Sequence, residues 1–231
     1  MSILDTLRPP LDLRVLVTGG ASGVGAAIAR AFHEAGARVH VCDIDRSALD
    51  RLHADSPGIT GSMADASVEA DVDMVFDDLR GALGGLDVLV SNAGISGPVG
   101  AIQDVDRRAW ERTVAVNLNS QYFFAHRAVP LLRGSPRGAS LIAIGSRAAS
   151  TTHGFRSAGV STRWAVLGLV KELASELGPD GIRVNAIVAS VPANDVAGLA
   201  LFLCSPAARH LTGQIIGVGA VAEHRDERGH A

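Results

Sequence analysis

The chain has 231 residues, which is enough for one domain with a substantial hydrophobic core. Hydrophobic residues make up 47% and charged residues 19%, a composition that is typical of globular proteins and excludes a disordered one. The net charge is -3 and no basic block occurs, so nothing indicates nucleic-acid binding.

Two further features of the sequence indicate the cellular compartment of the protein. Cys42 and Cys204 both lie in apolar stretches, which is typical of buried, reduced thiols in a cytosolic protein. Residues 1–10 lack the charged and apolar regions of a signal peptide, and no apolar run approaches the roughly 20 residues of a membrane helix. We therefore expect a cytoplasmic protein without a membrane segment.

Short apolar runs alternate with helical patterns along the chain. The runs lack polar alternation, as strands do when helices cover both faces of a parallel sheet. One-sided helical stripes lie between them, for example at Ile28, Phe32 and Ala35 and from Val68 to Leu79. The predicted strands are Arg14–Thr18, Arg38–Asp43, Val88–Ser91, Ala139–Ile144, Arg183–Val188 and Gln214–Val218, with one more presumed before Asp65.

This alternation predicts an α/β fold with a doubly wound, mostly parallel sheet of about seven strands between two helical layers, joined by right-handed crossovers. We found no internal repeat or linker, so we expect one domain over residues 1–231. Its ordered core should span about residues 11–220, followed by a polar tail at 221–231.

The strongest local signal is the glycine-rich turn Thr18–Gly25, between the first predicted strand and the helix after it. Glycines allow a tight turn and a close approach to a pyrophosphate, whose charge then meets the helix N-terminus. A plain strand–helix turn is the alternative. The candidate binding residues of this turn are Gly19, Ser22, Gly23, Val24 and Gly25.

Acidic residues after the next strands favour a dinucleotide. Asp43, with Ile44 beside it, lies 18 residues beyond Gly25, close to the spacing of about 20 residues for a carboxylate that binds a ribose 2′-hydroxyl. A carboxylate there repels a 2′-phosphate, so we predict NAD rather than NADP, despite the nearby Arg46. Asp65 is placed to reach an adenine edge.

With the turn Asn92-Ala93-Gly94 and the segment Val116-Asn117-Leu118, these motifs resemble the short-chain dehydrogenase/reductase family from about Arg14 to Val218. The resemblance implies a Rossmann-like fold. It also implies that Asn92 supports the central strand and that Ala93 and Gly94 pass close to the adenosine ribose. Asn117 would lie in the active site and help to hold a proton-relaying water.

The family transfers hydride between nicotinamide and an alcohol or carbonyl compound, with a tyrosine as the acid–base group and a lysine four residues later. By resemblance Ser146 matches the family's serine, which polarises the substrate oxygen. Gly159 and Arg163 stand where the tyrosine and the lysine are expected. The chain's sole tyrosine, Tyr122, and sole lysine, Lys171, lie elsewhere, so no such pair exists.

A second departure follows the sixth strand, where the family's Pro-Gly pair is replaced by Ala189-Ser190 and the long flap that covers nicotinamide is largely missing. Other residues of the chain are candidates for the roles of the family's tyrosine and lysine. His153 has a suitable pKa class for acid–base work, although a solvent-facing loop histidine is the alternative. Arg163 can keep a ribose contact and a positive field. Arg147 and Arg156 either hold an anionic substrate or are surface charges.

Three functions remain open at this stage. The first is an NAD(H)-binding oxidoreductase with slow or redesigned chemistry that uses Ser146, Asn117, His153 and Arg163. The second is a non-catalytic subunit or scaffold that pairs with an active paralogue. The resemblance implies association through the helices near 106–132 and 160–177, and by resemblance we expect a homodimer or homotetramer. The third is an NAD(H)-sensing regulator. No residue cluster has metal-ligand spacing, so we expect no metal.

Overall fold

The computed structural model describes residues 2–146 and 154–219. A sheet of seven strands forms the centre of the molecule, and every strand pair in it is parallel. The strands are β1 (Arg14–Thr18), β2 (Arg38–Asp43), β3 (Thr60–Met63), β4 (Val88–Ser91), β5 (Ala139–Ser146), β6 (Ile182–Ala189) and β7 (Ile215–Val218). Their spatial order is β3-β2-β1-β4-β5-β6-β7.

One short helix precedes β1, and the other helices connect the strands. In chain order, the helices are α1 (Ile3–Thr6), α2 (Gly23–Glu34), α3 (Arg46–Asp55), α4 (Glu69–Leu83), α5 (Arg107–Val114), α6 (Ser120–Arg133), α7 (Ser157–Leu177) and α8 (Ala193–Leu203). A π-helical turn, Ala115–Asn119, joins α5 to α6 without a break in the helical path. Within the two described ranges, no helix combines the length and the apolar character needed to cross a lipid bilayer.

Two hydrophobic clusters divide the helices between the faces of the sheet. One cluster joins α2, α3 and α8 to the face that carries Val15 and Val17 of β1. The other joins α4, α6 and α7 to the opposite face, which carries Leu16. This alternation follows from the two-residue period of a strand. The result is the predicted three-layer, Rossmann-like α/β fold.

The predicted strands are all present, with small errors at their ends. β5 extends two residues beyond the predicted end at Ile144, because Gly145 and Ser146 remain paired with Val188 and Ala189 of β6. The third strand, Thr60–Met63, was only presumed from the sequence, since it is an edge strand with few apolar residues and is held by backbone pairing with β2.

The order of the strands determines where a ligand can bind. Chain connections run outward in opposite directions from β1 and β4, which are neighbours in the sheet. Their carboxyl ends therefore open into a crevice at the point where the winding direction reverses, the usual ligand site of doubly wound sheets. The glycine-rich turn follows β1 at this crevice.

One buried imidazole lies in the sheet away from the crevice. His40 of β2 is 2% exposed and lies 2.8 Å from Thr60 Oγ1 and 2.9 Å from Ser62 Oγ. Ser62 in turn donates a hydrogen bond to Asp78 at 2.6 Å. Burial lowers the pKa of His40 to about 4, although the charge of Asp78 acts in the opposite direction. The folded protein therefore holds His40 neutral where the unfolded chain protonates it.

We expect the free energy of unfolding to fall as the pH is lowered through the window between the unfolded pKa of His40, about 6.5, and its folded pKa. By pH 4 the loss due to His40 should be about 3 kcal/mol. Urea unfolding at pH 7 and pH 4 should show this loss in the natural protein and not in His40→Gln. His126→Gln, which removes an exposed imidazole, is the matched control. Equal pH dependence of His40→Gln and the natural protein would contradict the prediction.

Candidate functional site

The backbone of the glycine-rich turn adopts conformations in which residues other than glycine would be strained. Gly19 and Gly23 have φ values of +58° and +53°, in the left-handed region that favours glycine. A Cβ atom on Gly25 would lie 2.1 Å from the carbonyl oxygen of Gly19, so Gly25 is required for close packing of the turn. The side chain of Ser22, at the N-cap of α2, makes no capping hydrogen bond. The first N–H groups of α2 are therefore left for a ligand.

Asn92 ties the ends of β1 and β4 together. Its backbone N–H and that of Ala93 donate to Thr18 Oγ1 at 2.9 and 3.0 Å. Its Nδ2 donates to the carbonyl oxygens of Thr18 and Gly19 at 3.1 and 2.9 Å. Both amide protons of Asn92 are thus used to hold the glycine-rich turn, which the crevice needs in a fixed shape.

Asp43 ends β2 beside the turn. Its carboxylate accepts the backbone N–H of Ala21 at 3.0 Å and that of Asp45 at 3.1 Å. Ile44 is next to it and is 61% exposed. Both residues line a cavity of about 410 Å³, together with Gly19, Ser22, Asp65, Ala93 and Gly94. We call this space the β1 cavity.

Arg112 of α5 also lines the β1 cavity, and sequence reasoning missed it. It pairs with Asp65 at 2.9 Å between Nη2 and Oδ2, while Ser67 donates to Asp65 from its backbone and its hydroxyl. Burial alone would raise the pKa of Asp65, but these hydrogen bonds outweigh it and the pKa is lowered. Asp65 and Arg112 are 47 residues apart, so no local sequence pattern predicts this ion pair.

Asn117 lies in the π turn and is 6% exposed. Its Oδ1 accepts the N–H of Ile95 at 2.7 Å, and its Nδ2 donates to the carbonyl oxygen of Ile95 at 2.9 Å. The same Nδ2 donates to Thr162 Oγ1 at 3.1 Å. The amide of Asn117 therefore fastens the loop after β4 to helix α7. A widened helical turn of this kind is frequent at functional sites.

A second cavity, of about 310 Å³, adjoins the β1 cavity across Asn92–Ile95. We call it the β5 cavity, since it lies at the carboxyl ends of β5 and β6. Its walls are mostly aliphatic, and Asn117, Gln121 and Arg163 are among the polar residues that line it. Sequence reasoning missed Gln121, which follows Asn117 by four residues and could have been found from that helical spacing.

The expected position of the family's tyrosine, Gly159, is buried against the loop after β4. A Cβ atom on Gly159 would lie 2.3 Å from the backbone oxygen of Ser96 and 3.8 Å from Arg163 Nη1. The structure therefore has no room for a side chain there unless the loop moves. Burial lowers the pKa of the Arg163 guanidinium, and the neighbouring Arg156 lowers it further.

The side chains of three candidate residues lie outside the described part of the chain. Ser146 is the last residue of β5 and is paired with Ala189, but its side chain lies outside the described part of the chain. His153 and Arg147 lie wholly outside the described residues. The structure thus brings Asn117 and Arg163 to one cavity and leaves the places of Ser146, His153 and Arg147 as predictions.

The connection after β6 is short. β6 ends at Ala189 and α8 begins at Ala193, so three residues separate them. α8 packs against α2 on the same face of the sheet. No long insertion follows β6 in the position where the resemblance places a flap.

Strand order, glycine turn and adjoining cavities define a doubly wound, Rossmann-like protein with a crevice at its switch point. Residues 19–193 match the family model described as enoyl-(acyl carrier protein) reductase. The chain is 30% identical to human dehydrogenase/reductase SDR family member 4, over 93% of this chain and 89% of the relative. It is 36% identical to the short chain dehydrogenase/reductase dpchG of Colletotrichum higginsianum, over 76% of this chain and 68% of the relative.

Among solved structures, the crystal structure of 3-ketoacyl-(acyl-carrier-protein) reductase from Brucella melitensis complexed with NADH superposes with a TM-score of 0.86. The two are 27% identical, and the match covers 90% of this chain and 97% of that one. The chain belongs to the short-chain dehydrogenase/reductase family, a family of oxidoreductases.

Proposed function

We propose that this protein binds NAD(H) in the crevice between β1 and β4 and lacks the ordinary hydride-transfer activity of its family. The observation that carries the proposal is a contrast between two neighbouring places. At one, the uncapped start of α2 faces open space at Gly23 beside the Asp43 carboxylate. At the other, the backbone of Ser96 lies against Gly159, where the acid–base tyrosine is expected.

The residues present fit a dinucleotide. The free N–H groups of α2 would hold the diphosphate, because they combine hydrogen-bond donors with the positive end of the helix dipole. Asp43 would accept hydrogen bonds from the ribose hydroxyls, and the exposed side chain of Ile44 would cover one face of the adenine. Arg163, in the adjoining cavity, would contact the second ribose. When bound, NADH supplies a hydride.

The residues around the β5 cavity offer an incomplete catalytic set. Asn117 and Arg163 would order a proton-relaying water and supply a positive field, and Ser146 would bind a substrate oxygen. His153 is the remaining candidate for the proton donor. Because loss of a general acid typically lowers the rate about 10²–10⁴-fold, we expect residual turnover at most. With NADH and a panel of ketones, any turnover detected should disappear in His153→Ala if His153 is the donor.

We expect NADH to bind at least about tenfold more tightly than NADPH, since the Asp43 carboxylate repels a 2′-phosphate. NADH at one hundred times its Kd should raise the free energy of unfolding by about 2.7 kcal/mol, which corresponds to a melting temperature roughly 5–10 °C higher. Calorimetric titration should show the preference reduced in Asp43→Asn and retained in Asp50→Asn, which removes an exposed carboxylate of α3. Tighter binding of NADPH, or an unchanged melting temperature with NADH, would refute the proposal.

Exposed aromatic residues on two helices favour a role in an assembly. Tyr122 of α6 is 57% exposed and Trp164 of α7 is 55% exposed, although both are large apolar side chains. We propose that these helices form a homodimer or homotetramer, or pair with an active paralogue. Light scattering should show a mass above that of the monomer that falls in Trp164→Glu, and a monomeric natural protein would contradict self-association. A change of mass on adding NADH would favour the sensing role.

We also propose a cytoplasmic location. Cys42 and Cys204 are both unpaired and buried, and burial raises the pKa of each thiol to about 12. Such thiols are inert and suit a reducing compartment, where disulfides are rare. Fractionation of the native cells checks this, and recovery with secreted proteins would overturn it.

A further inference from the structure

Arg112 links helix α5 to the segment that follows β3. Its Nη2 lies 2.9 Å from Asp65 Oδ2 and its Nη1 lies 3.4 Å from Asp65 Oδ1, which is the two-point pairing that a planar guanidinium allows. The pair is partly exposed, with 46% of the Arg112 side chain and 22% of the Asp65 side chain accessible to solvent. Because exposed ion pairs contribute little to stability, the consequence of this pairing is to be sought in the β1 cavity, which both residues line.

The carboxylate of Asp65 is held from several sides. Its Oδ1 accepts the backbone N–H of Ser67 at 3.0 Å and the hydroxyl of Ser67 at 2.7 Å, in addition to Arg112 Nη1. Arg112 Nη1 also donates to the Ser67 hydroxyl, and the backbone N–H of Asp65 donates to Asp71 Oδ2 at 2.9 Å. Oδ1 therefore receives three donors. Oδ2 receives Arg112 Nη2, and a carboxylate oxygen can accept a second hydrogen bond.

Asp65 is a pure acceptor at neutral pH. Burial raises the pKa of its carboxyl, but the hydrogen bonds from Ser67 and Arg112 outweigh burial and hold the pKa below its usual range. An ionised carboxylate accepts hydrogen bonds and cannot donate one. Adenine carries an amino group at position 6, which donates, whereas guanine and hypoxanthine carry a carbonyl oxygen there, which accepts. A carboxylate fixed in the cavity therefore attracts the edge of adenine and repels the edge of the other two bases.

We propose that Arg112 is a positioning residue that fixes the Asp65 carboxylate in the β1 cavity and thereby makes the protein select an adenine nucleotide over its hypoxanthine analogue. The 6-amino group of adenine donates to Asp65 Oδ2, while Arg112 holds the carboxylate in place from α5. Arg112 acts through Asp65 and not by a contact of its own with the base. The inference rests on the proposed binding of NAD(H) and adds to it the residue that sets the choice of base.

The first test compares NADH with reduced nicotinamide hypoxanthine dinucleotide, in which a carbonyl oxygen replaces the 6-amino group. Calorimetric titration of the natural protein at pH 7 should show NADH binding at least about tenfold more tightly, because the analogue loses a hydrogen bond to a charged group and places an acceptor against the carboxylate. Equal affinities would overturn the inference and leave NAD(H) binding intact. Failure of both nucleotides to bind would overturn the proposed function and the inference together.

Variants distinguish positioning from a structural role. Arg112→Gln should lower the preference for NADH at least about threefold, chiefly because NADH binds less tightly. A purely structural role would weaken both nucleotides alike and leave the preference unchanged. In an Asp65→Asn background, Arg112→Gln should not change the preference further, since Arg112 acts through Asp65. Arg108→Gln, which removes an exposed arginine one turn earlier on α5, is the matched control and should keep the natural preference.

Two results would contradict the role of Arg112. One is a natural preference for NADH in Arg112→Gln, and the other is a further change of preference when Arg112→Gln is added to Asp65→Asn. Should Arg112→Gln not fold, Arg112→Lys takes its place, because it keeps the charge and loses the planar fork of donors. It should also lower the preference for NADH, and an unaltered preference in Arg112→Lys would then overturn the assignment.

Discussion

Introducing the family's tyrosine and lysine at the positions that the resemblance assigns to them, as Gly159→Tyr with Arg163→Lys, should give no increase in dehydrogenase activity and should destabilise the fold. The reason is steric. The first side-chain atom at position 159 would lie 2.3 Å from the backbone oxygen of Ser96, and Gly97 packs on the same part of α7. A phenol therefore cannot enter the β5 cavity from this position without displacing the loop after β4. Asn117 holds that loop through both backbone groups of Ile95.

A pair of alanine variants in helix α7 isolates this effect from helix propensity. Gly159→Ala should lower the free energy of unfolding by about 1–3 kcal/mol, the usual cost of overpacking. Gly168→Ala adds the same atom where nothing lies within 4 Å and should raise it by up to about 1 kcal/mol. Urea unfolding measures both values. Equal stabilisation by the two variants, or ketone reduction by the double variant well above background, would show that the loop yields easily.

Gly25→Ala should abolish NADH binding and lower the free energy of unfolding by about 3 kcal/mol or more. The added Cβ would meet the carbonyl oxygen of Gly19 at 2.1 Å and Asn92 Nδ2 at 2.6 Å. Neither of these atoms can move alone, since Asn92 also holds the end of β1. The turn would therefore open, and the N–H groups at the start of α2 would lose their alignment with the crevice.

Gly81→Ala in α4 is the matched control for this change. It is an exposed helical position with nothing within 4 Å of the added atom, and it should be neutral or stabilising by up to about 1 kcal/mol. Calorimetry with NADH and urea unfolding are run on both variants. Retention of natural NADH affinity by Gly25→Ala would mean that the diphosphate does not lie on this turn, and the proposed binding mode would be wrong.

The fold could be predicted from the sequence because its signals are local. Apolar runs without alternation mark the strands β1, β2 and β4, whose ends the structure reproduces at Arg14–Thr18, Arg38–Asp43 and Val88–Ser91. The predicted ends were wrong by one or two residues at β5, β6 and β7, and at β5 and β6 the strands are prolonged by pairing with each other. A pairing partner distant in sequence is invisible to a local pattern.

In the candidate site, too, only the features with a local sequence signal could be predicted. The composition of the glycine-rich turn and the acid at position 43 are visible in the sequence. The ion pair of Arg112 with Asp65 and the contact of Ser96 with Gly159 join segments 47 and 63 residues apart and emerge only on folding. The sequence thus shows a glycine at position 159, where the resemblance places the family's tyrosine. It does not show that the neighbouring loop occupies the space beside it.

The three-residue connection between β6 and α8 sets a limit on how far this part of the molecule can reach. Three extended residues span roughly 10 Å at most, and both ends of the segment are anchored, one in the sheet and one against α2. The segment is therefore too short to fold across the mouth of the crevice. Among residues 2–146 and 154–219, this connection therefore supplies no hinged cover that would have to open before a molecule reaches this end of the crevice.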